Sequence, residues 1–210
     1  MINKVLDFFN IKADKSQKLV LLSFFISGLI SSYTYPIIQK SMITALPPEW
    51  IAFEALFSAI MILIFGMVWK GKFREKIINN FFFFCIIESI AGFLCGMYLC
   101  FIAYNAWIFA IATLIYASFI TILVSKCIMY FKSKLWQEKE REQYDNNISI
   151  VGGITCIIGF GMALLTMPSL KVALFLWGIS CIIDDIGWII VYLDNNNVLK
   201  NKEDGNNLEI

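Results

Sequence analysis

Long apolar runs separated by short polar segments make up most of the chain. Six of them, at about 19–39, 50–69, 77–100, 103–126, 148–167 and 172–193, match the ~20 residues a helix needs to cross a bilayer. Ahead of them, residues 1–18 are polar and mixed in charge, yet Ile2, Val5, Leu6 and Phe9 recur at the spacing of one apolar helix face. The long apolar run that follows has no small-residue cleavage site. The segment therefore reads as an amphipathic helix at the membrane surface leading into the first span. Pro36, the Pro47–Pro48 pair and Pro168 are expected at span ends, where a missing N–H does least harm. Trp50, Trp69, Tyr104, Trp107, Tyr130 and Tyr192 sit near the predicted boundaries, where an interfacial aromatic belt would lie.

Composition removes the alternatives. Of 210 residues, 59% are hydrophobic and only 16% charged, and mean hydropathy is +0.73. A soluble domain of this size needs more charge to cover its surface. A net charge of +1 gives no nucleic-acid surface. The six cysteines fall in or at the ends of apolar runs with neither disulfide nor zinc-ligand spacing, and read as small buried apolar residues. Histidine is absent. With no phosphate-binding loop, nucleophile elbow or metal motif either, the chain is expected not to be an enzyme and to carry no cofactor or metal.

Charge then orients the spans. Fifteen of the seventeen basic residues lie in the N-terminal segment, the loops after spans two and four, and the tail, while the alternate loops hold only Lys40 and Lys171. This positive-inside bias predicts both termini in the cytoplasm and an even number of spans. Residues 131–145 read as a cytoplasmic surface helix. Its Glu138–Arg141 and Lys139–Glu142 pairs would lie on a solvated face, with Leu135 and Trp136 touching the interface. The Asn-, Lys- and acid-rich residues 194–210 read as a disordered cytoplasmic tail.

The loop after span two reads Gly66-Met-Val-Trp-Lys70-Gly-Lys72-Phe-Arg74-Glu-Lys76. The loop after span four leads through Glu140-Arg-Glu-Gln-Tyr144 into a fifth span bearing Gly152-Gly153 and Gly159-Phe-Gly161. In layout and in these loops the chain resembles one six-helix half of a major facilitator superfamily transporter. The glycine at Gly66 and the basic cluster of Lys70, Lys72, Arg74 and Lys76 match that family's loop motif, but Lys70 stands where the family has an aspartate. The resemblance implies an all-α, facilitator-like bundle. Full members place two such halves around a central pathway. It therefore also implies a homodimer or a second six-span partner, moving a small solute by alternating access.

The sharpest chemical signal is the intramembrane acids. Glu88 falls near the middle of span three and Asp184 and Asp185 near the middle of span six, with Glu54 one turn inside span two. A charge at the bilayer centre costs ~2.5–3.5 kcal/mol even on a lenient scale. No Lys or Arg lies mid-span to pair with them. They are candidates for proton coupling or for anchoring a cation, or else are neutral carboxyls bonded between helices. Adjacent helical residues point ~100° apart, so only one of Asp184 and Asp185 can face a given cavity squarely. In span one, Ser23, Ser27 and Ser31 form a stripe at i, i+4, ending near Tyr35-Pro36. It reads either as a packing face or as a cavity-lining one. Gly92-x-x-x-Gly96 is a further packing signal, and the Phe81–Phe84 run is expected to face lipid.

The sequence thus predicts an all-α, multi-pass protein of a cell membrane, bacterial plasma membrane by composition, with six transmembrane helices and half-transporter character. Two other readings remain open at this stage. One is the membrane subunit of an energy-coupling-factor importer, docking through small-residue faces. The other is a membrane immunity or accessory protein that binds a peptide or partner.

Overall fold

A computed structural model describes residues 15–102 and 105–201. The amphipathic reading of residues 1–14, Tyr104 and the tail beyond Asn201 lie outside the described residues. The chain forms α1 (Lys15–Ala45), α2 (Pro48–Val68), α3 (Gly71–Asn79), α4 (Phe81–Phe101), α5 (Ala106–Ile115), a π-helical turn (Tyr116–Ile120), α6 (Thr121–Leu135), α7 (Glu138–Thr166) and α8 (Leu170–Asn201). Counting α5 through α6 as one, six helices are long and apolar enough to cross a membrane. The all-α six-helix bundle is as the apolar pattern predicts.

Several boundaries move. Pro36 lies inside α1 rather than at its end; neighbouring helices and hydroxyls re-satisfy the backbone that a proline frees in a transmembrane helix. The 70–76 loop is itself the first turns of a short helix, entered through Gly71 at φ +46°. No separate surface helix spans 131–145: α6 ends at Leu135, Trp136 and Gln137 are extended, and α7 begins at Glu138. The Glu140 carboxylate accepts from the Gln137 backbone N–H at 2.8 Å, fixing the new helix start. Trp136 is buried against Tyr144 and Trp188 rather than lying at the interface. The expected Glu138–Arg141 and Lys139–Glu142 pairs do not form; among the described residues the ion pair is Lys132–Asp145. Helix α8 continues to Asn201, through the first residues of the segment read as a disordered tail.

Small residues decide which helices meet. On α1, Ser23 lies against Gly187, Ser27 donates to the Asp184 carboxylate at 2.7 Å, and Ser31 donates to Ser180 at 3.2 Å. That stripe is therefore an antiparallel seam with α8. A second face of α1 packs on α7, where a Cβ at Gly159 would fall 2.6 Å from the Ser32 Cβ. On the far side of α8, Gly178 meets Gly96 of α4. Without a hydrophobic drive between helices in lipid, such close approach supplies the dispersion contact that holds them. A Cβ at Gly96 would sit 2.8 Å from the Leu174 carbonyl oxygen and 3.0 Å from the Gly178 Cα, backbone atoms that cannot turn aside. We expect Gly96→Val to cost about 1–3 kcal/mol, read as a lower melting temperature in detergent. Gly66→Val, whose Cβ meets nothing within 4 Å, should leave the melt unchanged.

The basic segments collect at one end of the bundle. Gln17 at the start of α1 donates to the Glu140 carbonyl near the start of α7. Arg74 of α3 and Lys134 of α6 both lie over the Tyr130 ring. Beneath them Phe81, Phe131 and Tyr192 form an aromatic core, with Phe81 and Phe131 fully buried. Phe81 and Tyr192 are thus core rather than lipid-facing or belt residues. At the opposite end, Trp50 packs edge-on against Trp107. Helix α2 buries only Phe65 among its described side chains and turns the remainder of its apolar surface outward.

Candidate functional site

Two cavities open along α1, one toward each end of the bundle. The one nearer the basic end, about 230 Å³, is enclosed by α1, α4, α6, α7 and α8 and gathers Glu88, Asp184 and Asp185. The larger, about 580 Å³, lies on the opposite side and is lined by Ser31, Tyr35, Trp50 and Glu54 among others. The four candidate acids are therefore split three to one. Ser23 lines neither cavity and belongs to the helix seam, bonding the Val20 carbonyl at 3.0 Å.

In the smaller cavity the two adjacent aspartates take different roles, as their helical separation requires. Asp184 is exposed although it sits mid-span, lining the cavity while accepting from Ser27. Asp185 is 6% exposed and turns to α4, where Ser89 donates to it at 2.9 Å. Glu88, 5% exposed, accepts from Thr121 at 2.7 Å and lies within electrostatic reach of Asp185. The π-helical turn ends at Ile120, directly before Thr121, and its wider winding resets the register of the fourth span at this point. Among the described residues no group of three or more Cys, Asp or Glu could hold a metal ion.

The mouth of this cavity already carries a cation. The Lys132 ammonium is paired with Asp145 and lies 4.9 Å from the centre of the Tyr144 ring. Tyr144 borders the cavity but is itself buried, and its hydroxyl has no hydrogen-bond partner among the described residues. Such an orphan donor inside a bundle costs free energy unless something fills the space beside it. Lys132, Asp145 and Tyr144 escaped the sequence reading because they fall in what looked like a solvated surface helix. The one available signal was the return of aromatic residues, Trp136 and Tyr144, within that charged stretch.

The residues of the loop after span two that carry the facilitator resemblance do not reach either cavity. Gly66 is exposed with open space at its Cβ, and Lys70, Lys72 and Lys76 are exposed at the basic end. Arg74 alone is drawn inward, onto Tyr130. No family model matches the chain, and neither a curated protein nor a solved structure does.

The division between the two cavities is thin. The smaller cavity reaches Phe24 of α1 and Asp184 of α8; the larger begins at Ser31 and Trp177. Seven helical residues separate Phe24 from Ser31, a rise of about 10 Å. Within that interval the two helices are joined through side-chain hydrogen bonds from Ser27 to Asp184 and from Ser31 to Ser180.

Proposed function

We propose that this chain is a half-size, transporter-like membrane protein that moves a small cationic solute by alternating access along α1. One observation carries the reading. A cavity lies on each side of a stretch where α1 and α8 are joined by hydroxyl hydrogen bonds, with Glu88, Asp184 and Asp185 on one side and Glu54 on the other. Hydroxyl pairs exchange partners at little cost, whereas a packed apolar core does not. Asp184 is the cation anchor: it faces the cavity and also holds the seam through Ser27. Binding a cation at Asp184 draws the carboxylate from Ser27 and loosens α1 from α8. Glu88 and Asp185 form the buried acid pair behind it, available to take up a proton. The Lys132 ammonium at the mouth supports the cation class, because the same wall already accommodates one.

The topology belonging to this reading has both termini in the cytoplasm, supported by the gathering of basic segments at one end. A second copy or a second six-span half would sit against the outward apolar surface of α2, and the membrane would be a bacterial plasma membrane.

The test is flux. Purified protein in liposomes loaded with a pH-sensitive dye is exposed to alkali cations and to a panel of organic amines. A proton movement that appears with at least one cation and not in empty liposomes is the expected result. Silence across the panel, from protein with an intact helical melt, would remove transport from consideration.

A further inference from the structure

The larger cavity has a chemistry of its own. Five aromatic side chains, Tyr35, Trp50, Phe109, Phe160 and Trp177, line it together with aliphatic and neutral polar ones and a single carboxylate, Glu54. Among the described residues lining it there is no Lys or Arg. Glu54 has no hydrogen-bond or ion-pair partner among the described residues. The Trp50 indole N–H is likewise buried without a partner. The volume, about 580 Å³, falls in the ~300–1,000 Å³ range of small-molecule sites.

We infer that this cavity binds a lipophilic organic monocation, its charge set against Glu54 and its apolar body against the ring faces. An unpaired, partly buried carboxylate attracts a cation more strongly than the same group fully in water. Aromatic faces add ~0.5–2 kcal/mol for each well-placed contact with a desolvated cation. A small, strongly hydrated metal ion gains nothing from the rings, and the lone carboxylate is too few ligands for a divalent ion. A neutral apolar molecule leaves Glu54 unmatched, and an anion is repelled by it. A cation whose charge is spread over a bulky apolar frame satisfies both walls at once. Tyr35, 53% exposed at the edge of the cavity, leaves a route for entry. This site stands apart from the Asp184 cavity and binds whether or not the ligand is carried across.

The experiment is equilibrium binding of radiolabelled tetraphenylphosphonium to the purified full chain in detergent. Saturable binding of one equivalent is expected, at least tenfold weaker in Glu54→Gln and weaker in Trp50→Leu, with Glu75→Gln, exposed and outside both cavities, unaffected. Unlabelled tetraphenylphosphonium should displace the label, and neutral triphenylphosphine oxide at the same concentration should not. Equal binding by wild type and Glu54→Gln, or equal displacement by the neutral compound, would reduce the site to apolar adsorption and overturn the inference. So would absence of saturable binding by folded wild type. Binding without flux would sink the transport reading alone, and flux of other cations without binding would sink this inference alone.

Discussion

Asp184→Asn is expected to lower cation-driven flux about 100-fold while leaving the melting temperature of the detergent-solubilised protein unchanged or raised. Asparagine keeps the shape of the side chain, and its carbonyl oxygen can still accept from Ser27, so the seam with α1 survives. What disappears is the charge. The contact between carboxylate and bound cation goes with it, and a loss of ~2.7 kcal/mol is a factor of 100 in rate or affinity. The folded protein itself gains, because a carboxylate is no longer held at mid-span. Asp185→Asn is the comparison, since that side chain, though it also borders the cavity, is buried and bonded to Ser89, and Glu88 remains to take up the proton. Its flux should stay within about tenfold of wild type. Initial rates in proteoliposomes, paired with thermal melts, decide the matter. Full flux in Asp184→Asn with loss in Asp185→Asn would hand the anchoring role to the buried pair.

The contrast between these two aspartates shows where sequence stops being informative. Their adjacency and the 100° step of a helix already required that they diverge. Which one would meet open space depended on the rotation of α8, and that is set by Gly178 and Gly187 closing on α4 and α1. Apolar run length predicted the six spanning helices, because the bilayer fixes that length independently of tertiary packing. Charge alternation likewise predicted the gathering of basic segments at one end. The small-residue stripe was legible as an interface, but its partner was not, since Ser23, Ser27 and Ser31 fit a glycine-bearing helix anywhere in the bundle.

Where the sequence misled, local charge was the cause. Residues 131–145 carry so many charges that a solvated helix was the natural reading, yet Trp136 and Tyr144 are among the buried aromatics. A chain that turns back between two spans must bury something at the turn. Here Trp136 and Tyr144 close over Trp188 and leave the charges of Glu138, Lys139, Glu140 and Glu142 to the outside. Glu54 was recognisable only as an acid near a membrane surface. The aromatic walls around it come from α1, α2, α5, α7 and α8, and no spacing along the chain brings those five together.

A cross-link across the seam tests the route itself. Ser31 and Ser180 approach to 3.2 Å between hydroxyl oxygens, so cysteines at both positions are near enough for a disulfide, which needs Cβ atoms ~3.5–4.5 Å apart. We expect Ser31→Cys with Ser180→Cys to form the bond on mild oxidation. Flux should then fall to the level of empty liposomes and return on reduction. The reasoning is geometric: with α1 tied to α8 at the edge of the larger cavity, Asp184 cannot be offered to the opposite side. Each single-cysteine variant, treated identically, controls for oxidation of the native thiols, of which Cys156 is exposed. If the locked protein transports as fast as the reduced one, the seam does not open. The solute would then pass between two copies of the chain, each moving as a rigid body, and the exposed face of α2 would be the next surface to cross-link.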